Sequence, residues 1–311
     1  MLAKLCAIFS QFAEAAPAHA HAIAGDHYFP DTFTIDSPAV SDDLDLPGVM
    51  LQKHQADGGE VMDRELPFSV SRLLAPGWQF GIDSGYDWRR SSSTQKSGFE
   101  AVTLSLKSQI LRDDDDESLA TLGLGWSVGH SGAKGIGADA TNSFNPGVSV
   151  GQGFGNLPQY LFFLRPVAVT GAIEAALPIS RRSAMNLAVD PASGGLFPQE
   201  SPATDRLHWG FAISYSTHYI QDWGPHWPYQ HEPLNQFVPL VEFSFDSANH
   251  AATTGTANPG LVYVGECFQF LVEASLPLNQ ATGRTVGAQM QLTWFLDELL
   301  PALFEKPLLS R

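Results

Sequence analysis

The 311-residue chain sets 17 Lys and Arg against 33 Asp and Glu, a formal net charge of −16. This anion lacks the basic surface that nucleic-acid binding requires. A mean hydropathy of −0.06, with no apolar run near the ~20 residues of a spanning helix, excludes helical membrane insertion. It does not exclude a barrel, whose strands alternate and average near zero. Two cysteines, Cys6 and Cys267, are too few for a disulfide framework and too distant in sequence for a local metal motif.

The chain opens with one basic residue, Lys4, a short apolar core to Phe9 and the small-residue run Ala18-His19-Ala20-His21-Ala22. Residues 1–22 therefore read as a secretory signal peptide, interrupted by Gln11 and Glu14, with maturation near His21 or Ile23. Residues 23–46 carry Asp31, Asp36, Asp42, Asp43 and Asp45 with no apolar period, and read as an irregular acidic segment.

From residue 47 to 297 period-2 alternation takes over. Leu122, Leu124 and Trp126 alternate with Gly123, Gly125 and Ser127, and Met290, Leu292 and Trp294 alternate with Gln289, Gln291 and Thr293. Soluble strands average ~5–6 residues, whereas these runs reach the ~9–11 that a tilted membrane strand needs. Their polar face is Gly, Ser, Thr and Gln, suited to a wet lumen; the other carries aliphatics with Trp and Tyr, suited to lipid and its interfaces. The fold expected is all-β, an antiparallel transmembrane outer-membrane β-barrel of about 12 strands. These lie near 47–54, 60–73, 77–89, 98–111, 118–129, 143–154, 163–179, 207–220, 236–246, 258–265, 267–278 and 284–296. Residues 298–311 read as a periplasmic tail. Most long connections, 180–206 above all, then fall outside, with the Trp- and His-containing stretch 221–235 the exception.

Alternation places Asp83, Asp87, Glu174, Glu242 and Glu273 on lumen faces, against Lys107 as the clear base. Low-dielectric walls focus such a field and concentrate cations. Gly123 and Gly125, then Gly151 and Gly153 on the next strand, form a wall of little side-chain volume. Glycine in strands marks bends or close approach of another backbone, so the wall either seats a lumenal segment or supplies curvature. Of two candidate occupants, 26–46 and 180–206, the loop is favoured, because more aspartates would add repulsion to an acidic lumen. His218, His226 and His231 near Trp223 and Trp227 lack metal-site spacing. Ser214, Ser216 and His218, or the loop Gly129-His130-Ser131-Gly132, supply no third partner for a catalytic triad. No metal, cofactor or catalytic residue is expected.

Thr254 to Glu266 and Leu276 to Gly287 carry a resemblance, with His27-Tyr-Phe-Pro30, Gly151-Gln-Gly-Phe-Gly155 and Leu164-Arg-Pro166. The chain resembles a family of uncharacterised proteobacterial outer-membrane barrels described as transporters, related to barrels named for phenol meta-cleavage pathways. The resemblance implies location and fold, and assigns no catalytic residues. Thr285-Val-Gly287-Ala-Gln-Met290-Gln-Leu292 is similar to the signal read by the barrel-insertion machinery, although Phe304 lies inside a tail ending at Arg311. The expectation is a porin-like Gram-negative outer-membrane channel or transporter for small solutes. Its partners would be outer-membrane lipids, that machinery and an unassigned solute. The alternatives are a non-conducting envelope scaffold or adhesion barrel, and a lipid-modifying barrel hydrolase.

Overall fold

Each long run of alternating residues pairs with its sequence neighbour, and the last pairs with the first. In the computed structural model, which describes residues 22–56, 59–138, 141–179, 183–216, 236–249 and 251–309, a short hairpin comes first: β1 (Ile23–Ala24) and β2 (His27–Tyr28). The wall then runs through β3 (Asp43–Ala56), β4 (Gly59–Ala75), β5 (Trp78–Arg90), β6 (Gln95–Phe99), β7 (Thr103–Asp113), β8 (Ser118–Ser127), β9 (Ser143–Gly153) and β10 (Val167–Pro178). A separate hairpin, β11 (Ser183–Val189) and β12 (Leu196–Pro202), precedes β13 (Arg206–Tyr215), β14 (Phe237–Ala248), β15 (Thr254–Val264), β16 (Phe268–Pro277) and β17 (Gly287–Phe295).

All pairings are antiparallel, and the ring closes where β17 meets β3, from Ala288 opposite Leu51 to Phe295 opposite Asp43. Twelve strands make up the closed barrel, with β6 an outer continuation of β7 against β5. Closure leaves the ring itself without an unpaired edge. Residues 1–21 of the expected signal segment and the stretch 221–235, with His218, His226 and His231, lie outside the described residues.

The two faces follow the alternation. On β8, Leu122 and Leu124 are 45% and 47% exposed on the outside, while Thr121 is 1% exposed inside. Outward aromatics cluster at both rims: Trp209 stacks on Phe245 and Trp126 on Phe144 at one, while Phe237, Tyr263, Phe268 and Trp294 form a chain at the other. On β14 the two belts are eight residues apart, roughly 26 Å at ~3.3 Å per residue before tilt, which suits a ~25 Å apolar band.

Several boundaries differ from the sequence expectation: the strand expected from 163 starts at Val167, after a 3-10 turn at Gln159–Leu164, and the one expected from 258 starts at Thr254. The first barrel strand begins at Asp43, because Asp43 and Asp45 alternate with Leu44 and Leu46 and are satisfied inside; the irregularity comes later, where the register slips between Asp45 and Met50 around Pro47. Proline in a strand is confined to such slips or to edges. The 23–46 segment is not wholly irregular, since β1 and β2 form a hairpin with Gly25 at φ 57°. The strand expected at 98–111 is broken at 100–102, where Ser131 Oγ accepts the Val102 N–H at 2.9 Å. The barrel ends on aromatic Phe295, and residues 296–304 form two short helical turns, α1 (Leu296–Leu299) and α2 (Pro301–Phe304).

The outer mouth is roofed on one side. Val189 and Leu196 of the β11–β12 hairpin pack with Val61 of β4, and Ser91 Oγ donates to Gly194 O at 2.6 Å. A 3-10 turn at Lys134–Ile136 dips inward until Ile136 is fully buried.

Candidate functional site: the lumen and its N-terminal segment

Residues 27–41 run through the barrel interior, and the glycine wall is where they sit. A Cβ on Gly151 would stand 3.0 Å from the Phe29 ring and from Pro38 Cγ, and one on Gly153 would stand 2.8 Å from the His27 ring. The wall therefore seats the acidic N-terminal segment and not the 180–206 loop, whose hairpin stays at the mouth. The other two wall residues behave differently. Nothing lies closer than 3.9 Å to a Cβ on Gly123, and Gly123 and Gly125 border an open cavity.

The segment is fixed along its length. His27 Nδ1 lies 2.8 Å from Glu117 Oε2, and Glu117 has a left-handed backbone, φ 50°, in the β7–β8 turn. A non-glycine residue held there stores conformational strain that its surroundings must offset. Phe29, Ala22, Ala24 and Ala39 form an apolar cluster with Leu119 and Ala168 of the wall. Phe33 packs against Val238, Leu240, Val262 and Leu271. Tyr28 donates to Gln269 Oε1, Gln269 Nε2 donates to Asp31 O at 2.9 Å, and Thr121 donates to Pro38 O at 2.6 Å. Thr34 and Ile35 both donate their N–H to Glu242 Oε1, at 3.0 and 2.8 Å.

Repulsion, the physical reason for favouring the loop, is answered residue by residue. Asp36 is ion-paired to Lys107 and accepts from Ser149 Oγ at 3.1 Å. Ser41 Oγ donates to Asp43, and Asp45 collects Ser69, Gln291 and Thr293 at 2.5–2.9 Å. Lumen hydroxyls and amides offset the added charge by hydrogen bonding.

The five acids expected to line one path are divided among three places. Asp83 and Glu174 face the cavity. Glu242 and Glu273 are covered, 0% and 2% exposed; Gln289 Nε2 donates to Glu273 at 2.6 Å and Asn258 Nδ2 to Glu242 at 3.3 Å. Asp87 sits near the outer mouth, ion-paired to Arg89 at 2.7 Å. The acids that join Asp83 and Glu174 at the cavity are Asp31, Asp36, Asp43 and Asp45, with Lys107 and His208 as the basic side chains. The cavity measures about 500 Å³. His208 bridges the segment to the wall, with Nε2 2.7 Å from Thr34 O and Nδ1 2.9 Å from Asp246.

The serines of the two catalytic alternatives are engaged or buried. The Ser131 hydroxyl is engaged by backbone, donating to Val128 O at 2.6 Å while accepting from Val102. Ser214 and Ser216 are buried, and His218 lies outside the described residues.

A closed ring with an apolar outer face, aromatic belts and a polar, partly filled interior defines a β-barrel of the outer-membrane class. No protein-family model matches the chain, and no curated protein sequence matches it significantly. Among solved structures it is similar to the NanC porin, at 10% identity over 80% of this chain and 98% of that one, TM-score 0.43. It is also similar to the KdgM porin, at 12% identity over 79% and 98%, TM-score 0.39. A third is the β domain of the Bordetella autotransporter BrkA, at 12% identity over 81% and 98%, TM-score 0.46. The strand pairing itself defines the fold.

Proposed function

We propose that the protein is a passive outer-membrane channel for small solutes, narrowed by its own N-terminal segment and selective for cations. The observation that carries this reading is the cavity of about 500 Å³, where six carboxylates face two basic side chains beside the wall at Gly123, Gly125 and Gly147. Fixed negative charge in a low-dielectric tube raises local cation concentration. The strand lengths and aromatic belts support residence in the outer membrane.

Planar-bilayer recording tests it. The expected reversal potential in a KCl gradient is that of a cation-preferring pore, weakened by Asp83→Asn with Glu174→Gln and at high salt as charges are screened. Zero conductance in a correctly folded barrel would overturn it in favour of the scaffold reading, which the roof of β11–β12 over the mouth favours. The likeness to barrels named for phenol meta-cleavage pathways adds neutral phenols as solutes to assay, since phenolate anions would meet the acidic cavity unfavourably.

A further inference from the structure

Outside the central cavity, three carboxylates converge beneath the outer mouth. Glu65 on β4 lies directly opposite Asp87 on β5, and Glu100 comes in from the break between β6 and β7. One oxygen from each lies within 4.8 Å of the others. A single guanidinium, Arg89, faces them, 2.7 Å from Asp87 Oδ2 and 3.6 Å from Glu100 Oε1. Arg89 is itself shared, because its Nη1 donates to Ile136 O at 2.9 Å.

Asp87 supplies the second, independent observation. Its side chain is 0% exposed, Arg89 engages only Oδ2, and Oδ1 has no hydrogen-bond partner. A buried carboxylate oxygen without a donor, beside two more carboxylates, is costly unless a cation is shared among them. Asp42 and Glu273 also leave one buried oxygen unbonded, but among the described residues only Asp87 does so inside a group of three carboxylates.

We infer that Glu65, Asp87 and Glu100 form a calcium site that ties β4, β5 and the β6–β7 break together under the Lys134–Ile136 turn. Oxygen-only ligands are the choice of a hard divalent cation, and Ca²⁺–O distances of about 2.3–2.6 Å place opposite ligands just under ~5 Å apart. Mg²⁺ demands near-ideal octahedral geometry and sheds its waters reluctantly, so three carboxylates from separate strands suit the more adaptable Ca²⁺. One divalent charge beside Arg89 neutralises the three carboxylates. Glu100, 39% exposed, offers the way in from solvent. The sequence expectation of no metal missed this site because its ligands are 22 and 13 residues apart and meet only through the β4–β5 register and the strand break.

The test is calorimetric titration of CaCl₂ into the full-length barrel, folded in lipopolysaccharide-free detergent, with a thermal melt in Ca²⁺ and in EDTA. One equivalent of Ca²⁺ should bind more tightly than Mg²⁺ and raise the melting temperature. Glu65→Gln and Glu100→Gln should each weaken binding at least tenfold, and Asp83→Asn, in the central cavity, should not. Glu100 is partly exposed, so its variant keeps the test open if Glu65→Gln misfolds. No binding at millimolar Ca²⁺ would overturn the site and leave a shared proton between the carboxylates. Binding unaffected by either substitution would equally overturn it. Conductance is not the readout, so this result is separable from that of the channel assay.

Discussion

The Phe29 ring stands 3.0 Å from the point where Gly151 would carry a Cβ, so even a methyl there would make the ring give by a few tenths of an ångström. Gly151→Phe should cost about 1–3 kcal/mol, as overpacking does, and should eject the N-terminal segment. Limited proteolysis would then cut within 27–41, and conductance would rise. Gly123→Phe, facing the cavity, should leave the segment protected and lower conductance.

Glu242 is the strongest anchor of the segment, since one oxygen accepts two successive backbone N–H groups and the other accepts Asn258. Hydrogen bonds to a charged group are worth about 1.5–3 kcal/mol each. Glu242→Ala should therefore speed amide exchange at Thr34 and Ile35 by well over tenfold, with barrel-strand amides unchanged. Equal acceleration throughout the barrel would show that Glu242 holds the wall and not the segment.

The inside-out assignment predicts unequal costs for arginine. Leu122→Arg faces lipid and should cost about 2–4 kcal/mol near the midplane. Asn145→Arg borders the acidic cavity and should cost far less. Refolding titrations in lipid vesicles compare the two, and equal costs would reverse the faces.

The C-terminal turns should dock more firmly in mild acid. Burial pushes Asp297 up to about 6, with like charge from Glu298 and Asp42 acting in the same direction. An acid raised in the folded state binds its proton more tightly there than when unfolded. Its ionisation opposes docking, so stability falls as pH rises from about 4 through 6. Hydrogen exchange at Leu300, whose N–H donates to Leu296 O, should be better protected at pH 5 than at pH 8 after correction for intrinsic rates. Asp297→Asn should flatten the difference. Arg72→Ala should loosen the same turns at every pH, because Arg72 donates to Leu303 O and Lys306 O at 2.9 and 2.8 Å.

The barrel was legible because lipid and lumen impose opposite chemistry on alternate residues, and a one-residue error would invert every face. β8, expected at 118–129 and found at Ser118–Ser127, carries that signal throughout. Asp43 to Leu46 also alternate, but two aspartates on the polar face read as loop chemistry until their partners Ser41, Ser69 and Thr293 are known. The wall at Gly151 and Gly153 announced a close neighbour without naming it. Choosing the occupant depended on pairs such as Lys107 with Asp36, 71 residues apart, which no local pattern encodes.

The β1–β2 turn rests on the β7–β8 turn through Gly25 and Asp114, and Asp43 starts β3 at that same rim. Residues 22–42 thus enter and leave the barrel by one opening, as a loop and not as a thread. Topologically, such a loop can be drawn out or reinserted without parting any pair of strands or opening the β17–β3 seam. The segment and the ring are topologically separable: withdrawing the segment would break its bonds to wall side chains such as Glu242 but no strand-to-strand pairing of the barrel.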